Sequence, residues 1–223
     1  MGSGVASQHD RQVERSQTAK FKVVGPGRQH NECMTSAADD HRRVAGIFTD
    51  RVRGVAAGGW DALAPVEGWV ARDVVRHLVT WLPPFLHGGA GVTLAQGPAV
   101  DDDPLGGWVA HSAGVQAILD DPTTESMVLR NPHLGVMPLS EAIANIYTSD
   151  VFMHTWDLAR ATGQDDILDS TRCEMMFQGM QPLDEVLRSS GQYGPRVPVP
   201  ADADAQTRLL GFIGRDPNWQ PPA

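Results

Sequence analysis

From Ser36 onward, apolar residues recur every three or four positions, in stretches separated by polar, glycine- and proline-rich joints; this is the period of a helix. In SAADDHRRVAGIFTDRVRGVAA, residues 36–57, Val44, Ile47, Phe48, Val52 and Val55 share one face behind a Ser- and Asp-rich start, and Gly58-Gly59 is expected to close the helix. WVARDVVRHLVTWLPPFL, residues 69–86, sets Val70, Val74, His77, Leu78, Trp81, Leu82 and Phe85 on one side, with Pro83 and Pro84 expected to stop or kink it. A Gly- and Asp-rich loop follows over 87–104, then a third helix near 105–120 that carries several glycines. Residues 122–138 read as a loop with a short extended piece.

A long helix is predicted over 139–162, closed by Gly163 as its C-terminal cap. Another spans 171–189, with Thr171 and Glu174 fitting a capping box, and after the Pro-rich GPRVPVPAD a last helix covers about 202–213. Four longer helices, two shorter ones and little strand-like alternation predict an all-α fold, a helix bundle in one domain.

Composition narrows this picture. Of 223 residues 41% are apolar and six are Trp, as in a globular protein. No run of 18 apolar residues occurs, and the first thirty residues lack an apolar stretch behind a basic start, so neither a membrane span nor a secretory signal is expected and the location expected is cytoplasmic. A net charge of −9 argues against a nucleic-acid partner, which would need a basic stripe. Cys33 and Cys173 stand far apart, the spacing of free thiols rather than of a disulfide or a cysteine metal site. Both lysines of the chain, Lys20 and Lys22, lie before residue 36, in a segment with no helical or strand period. Residues 1–36 are therefore expected to be a disordered leader, an upstream extension or an expression remnant, with the folded domain over 37–220.

The chemistry concentrates in SDVFMHTWDLARATGQ, residues 149–164. At 100° per residue, Asp150, His154 and Asp157 fall within an arc of roughly 60° on one helix face. A carboxylate and an imidazole one turn apart can reach a single divalent cation, the geometry that serves the H-E-x-x-H motif. His77, on the apolar face of the second helix, is the candidate third ligand, because an unpaired imidazole is costly to bury there; a hydrogen-bonded structural histidine is the alternative reading. Asp157 is open between a fourth ligand, a hydrogen-bond partner that orients His154, and a partner of Arg160 or another arginine. His41, His87, His111 and His133 read as exposed or loop residues without a matching partner, and His9 and His30 belong to the leader.

Together, GWVARDVVRHLV, DVFMHTWDLARATG and the terminal LLGFIGRDPNW resemble the mycothiol-dependent maleylpyruvate isomerase family, particularly its actinobacterial metal-binding members, within the DinB-like superfamily. The likeness runs over residues 37–220. It implies a DinB-like four-helix bundle with additional short C-terminal helices, and a divalent metal held by His77, Asp150 and His154, with Asp150 standing where the isomerase has Glu. Zinc is the metal it implies first, and nickel, manganese or iron also suit two imidazoles and one carboxylate.

Three protein ligands leave a coordination position open, as in a catalytic zinc site. A small-molecule thiol can fill it and be held as a thiolate nucleophile. The chain offers no convincing nucleophile of its own, so an exogenous thiol is implied; by resemblance it is mycothiol, used against an electrophilic substrate. The expected protein is thus a metal-dependent, thiol-using transferase or isomerase-like enzyme, with a homodimer as the association state common among DinB-like bundles. A non-catalytic metal-binding module and a DinB-like hydrolase that activates water are the alternatives.

Overall fold

The structure is a computed structural model and describes residues 35–189, 191 and 193–221. The expected leader, apart from its last two residues, lies outside the described residues, as do His9, His30 and Cys33. The fold is mostly helical, as the apolar period predicts.

Helix α1, Ala37–Arg53, starts where the Ser36 hydroxyl accepts from the Asp39 N–H at 3.0 Å. Asp39 and Asp40 in its first turn and Arg51 and Arg53 in its last suit the helix dipole. It ends at Gly54 rather than at the Gly58-Gly59 pair, where Gly58 instead turns the chain in the left-handed region.

Helix α2, Ala71–Ala90, runs through both prolines, contrary to expectation. Pro83 and Pro84 donate no N–H, yet the row Leu78, Leu82 and Leu86, spaced one turn apart and fully buried, continues past them and holds the helical register.

Helix α3, Pro104–Asp120, is capped by Asp103, whose carboxylate accepts from the Gly106 N–H at 2.8 Å. Its glycines have a packing role. A Cβ on Gly107 would come within 2.9 Å of the Pro98 carbonyl, so the glycine lets the 91–103 loop lie directly on the helix.

The extended piece is a hairpin, β1 Val128–Asn131 with β2 Gly135–Pro138, antiparallel with Leu129 opposite Met137. The segment expected as one helix over 139–162 is continuous but not uniform. A short α4, Leu139–Ala142, passes into a π-helical stretch, Ile143–Thr148, and then into α5, Ser149–Thr162, which Gly163 caps in the left-handed conformation as predicted. The expected 171–189 helix divides into α6, Ser170–Met180, and α7, Asp184–Ser189, around Pro182. Asp169, not Thr171, caps α6 by accepting from the Arg172 N–H at 2.7 Å. The last helix, α8, is Ala205–Phe212.

Helix α1 packs on α3 and α5, and α2 packs on the same two helices, while α6 and α8 pair with each other. Phe48, Val52, Val74, Leu78, Leu82, Trp108, Val151 and Trp156 fill the space between them, and Leu209, Leu210 and Phe212 extend the core under α8. Among the described residues no helix is long and apolar enough to cross a membrane.

Candidate metal centre

Helices α2 and α5 pack against each other, which brings His77 to Asp150 and His154 across 73 and more residues of chain. His77 Nε2 lies 3.1 Å from Asp150 Oδ2, and His154 Nε2 lies 3.4 Å from Asp150 Oδ1. One ligand atom from each of the three fits within 4.8 Å of the others. Donors bound tetrahedrally to a common zinc at about 2.0–2.2 Å are separated by roughly 3.2–3.6 Å; the two His–Asp150 contacts, one to each carboxylate oxygen, are already near that spacing, and the widest pair of ligand atoms, within 4.8 Å, has to close further. With a divalent cation bound, two neutral imidazoles and one carboxylate would leave a net charge of about +1, which would favour an anionic further ligand.

Asp157 resolves the choice that the sequence leaves open. Its carboxylate sits behind His154, with Oδ2 2.8 Å from Nδ1, on the far side of the ring from Asp150. It therefore orients the imidazole and presents Nε2 to the site. Its arginine partner is Arg215, through Nε–Oδ1 at 2.9 Å and Nη2–Oδ2 at 3.0 Å. Arg160 instead pairs with Asp166.

The electrostatics follow from this arrangement. Burial pushes the Asp157 carboxyl up, but Arg215 and His154 outweigh it and bring it down to about 2. Burial disfavours the His154 imidazolium, and Asp150 and Asp157 on its two sides overcome that and raise its pKa. Burial likewise opposes the charge on Asp150, which His154 and His77 hold below the ordinary carboxylate range, helped by a hydrogen bond from Trp81. Without a metal, His154 is thus drawn toward the doubly protonated cation between two carboxylates; a metal at Nε2 takes the place of one proton.

Aromatic rings wall the group. Trp81, one turn after His77 on α2, donates Nε1–H to Asp150 Oδ2 at 2.9 Å. Trp69 stacks on His154 with centroids 5.8 Å apart and also touches the His77 ring. Tyr193 lies near enough that Asp150 adds to burial in pushing its phenol up to about 12. The His77 side chain is 33% exposed against 6% for His154, so the site opens on the His77 side.

Sequence reasoning singled out His77, Asp150, His154 and Asp157, and these four meet. It missed Trp69, Trp81, Tyr193 and Arg215 as neighbours of the site. Trp81 carried a legible signal, since it follows His77 at i+4 on the same face, and Arg215 lay inside the terminal GRDPNW. Two histidines require correction. His41 and His111, expected to be exposed or in loops, are buried in α1 and α3, because each turns onto Tyr147 in the interior. His87 and His133 are exposed as expected. Cys173 is fully buried, with its thiol pushed up to about 12 by burial, Asp169 and Asp204, and it is no nucleophile.

The protein is thus a mostly helical chain with a His-Asp-His group able to hold a divalent cation. Two uncharacterized proteins from two strains of Mycobacterium tuberculosis are similar to it, each 26% identical over 177 residues, which cover 78% of this chain and 95% of theirs. No family model matches the chain, and no solved structure matches it at significance.

Proposed function

We propose that the protein is a divalent-metal-binding helix bundle of the DinB-like type, related to the mycothiol-dependent maleylpyruvate isomerase family, acting in the cytoplasm as a thiol-using transferase or isomerase-like enzyme on an electrophilic small molecule. The observation that carries this reading is the meeting of His77, Asp150 and His154 with their ligand atoms within 4.8 Å, open to solvent beside His77. The packing of α1, α2, α3 and α5 on one another supports the bundle assignment. Zinc is the metal proposed, and mycothiol the thiol.

A cation held by His77, Asp150 and His154 would supply Lewis acidity, which lowers the pKa of a thiol brought to the site. The chain's own residues prepare that site. Asp157 keeps the His154 Nδ1 proton in place, so that Nε2 faces Asp150. Trp81 holds one Asp150 oxygen by a hydrogen bond. Trp69 and Trp81 exclude water from the flanks of the imidazoles, which strengthens charge interactions in the site. Arg215 neutralises the Asp157 carboxylate behind the group, so that the carboxylate orienting His154 adds no net negative charge to the site.

The test is turnover of electrophilic substrates by the zinc-loaded protein with and without mycothiol. Activity that requires the thiol supports the proposal. Thiol-independent hydrolysis points to a water-activating enzyme, and absence of turnover with metal bound points to a binding module; either result overturns the thiol-transfer reading.

A further inference from the structure

A second polar cluster lies in the interior, built by different elements. His41 from α1 and His111 from α3 flank Tyr147 of the π-helical stretch, with ring centroids 5.8 Å and 5.7 Å from the Tyr147 ring. All three are buried, Tyr147 and His41 completely and His111 with 4% of its surface exposed. His41 Nδ1 is satisfied by Thr148 Oγ1 at 2.9 Å. Three buried polar atoms of the cluster, His41 Nε2, His111 Nε2 and Tyr147 Oη, have no hydrogen-bond partner among the described residues.

One buried polar atom without a partner is costly, and natural interiors rarely tolerate it. Three around a single ring indicate a shared partner. We infer that His41, His111 and Tyr147 form a buried binding site for an ordered water that bridges their free polar atoms.

The occupant is neutral because nothing nearby balances a cation. Asp40, beside His41, is bound by Arg172 through both oxygens at 2.7 Å and 2.8 Å and by Arg43 at 3.1 Å. Asp150 is committed to His77, His154 and Trp81. Burial also brings both imidazoles down to about 4, so each is neutral at physiological pH and offers either an N–H or a lone pair. A water can donate to one and accept from another, as buried waters with about three protein partners do. The inference does not depend on the metal reading, since none of these atoms belongs to that site.

The experiment is a high-resolution crystal structure of the full chain, joined to thermal unfolding of Tyr147→Phe. The expected result is a water within hydrogen-bond distance of at least two of the three atoms, and a Tm lowered by about 2–4 °C in the variant, because a satisfied hydroxyl has been removed. The inference is overturned by direct pairing of the side chains with no water, by an anomalous signal from a metal there, or by an unchanged or raised Tm. If Tyr147→Phe does not fold, the crystal structure decides alone.

Discussion

Arg215 grips Asp157 with two parallel hydrogen bonds, 2.9 Å and 3.0 Å, and so ties the segment after α8 to the helix that carries two of the three proposed metal ligands. Asp157 is 1% exposed and has His154 as its other partner. The pair therefore links the C-terminal end of the fold to the orientation of one imidazole.

Removing Arg215 strands a buried carboxylate. Arg215→Ala is expected to destabilise the protein by about 3–5 kcal/mol, the usual cost of breaking a buried pair from one side, measurable by urea unfolding. In the fraction that folds, metal affinity should fall on the order of 10–100-fold as His154 loses its fixed orientation. Arg215→Lys should recover only part of either effect, because an ammonium cannot make the two parallel bonds. Wild-type stability and affinity in Arg215→Ala would contradict this coupling.

At the metal site the metal-free protein should depend on pH through groups of opposite sign, while the buried His41 and His111, brought down to about 4, separately cost stability as pH falls below about 6.5. His154 has a raised pKa, so its contribution is fully present below about 6.5, the unfolded value, and is lost as pH rises through the folded value. Asp157 is lowered from 3.8 to about 2, so its contribution, roughly 2 kcal/mol, is present above about 4 and is lost as pH falls toward 2. Metal binding must expel the His154 Nε2 proton, so affinity should weaken as pH falls below the raised His154 value. Calorimetric titrations in buffers of different ionisation enthalpy should register that proton release, and a buffer-independent heat below that pH would count against it.

Gly107 offers a test of the fold away from the site. A Cβ there would meet the Pro98 carbonyl at 2.9 Å and Val100 Cγ2 at 3.1 Å. Gly107→Ala, although it improves helix propensity, is expected to destabilise by about 1–3 kcal/mol, because a backbone loop must move away from α3. A rise in Tm would mean that the 91–103 loop does not rest on the helix.

Much of this was legible in the chain because helices advertise themselves locally. The one-turn spacing of Asp150 and His154, and the cap at Gly163, depend on neighbours within a few residues, and both hold. His77 was legible because an imidazole stood in an apolar row. What escaped reading was what tertiary packing decides. The Leu78, Leu82 and Leu86 row carries α2 through Pro83 and Pro84, and the π-helical stretch before Asp150 leaves no periodic mark in the sequence. His41 and His111 sit among polar or small neighbours in sequence, and only the meeting of α1, α3 and Tyr147 buries them. Arg215 and Asp157 are 58 residues apart, so no local pattern could pair them.

The most direct test of the central claim is elemental analysis of the purified full chain after zinc reconstitution, beside a His77→Ala, His154→Ala double variant whose folding is checked by circular dichroism. The account predicts close to one zinc per chain in the wild type and none in the folded double variant. A wild type that holds no metal, or a double variant that retains it, would contradict the assignment of His77, Asp150 and His154 as a metal centre.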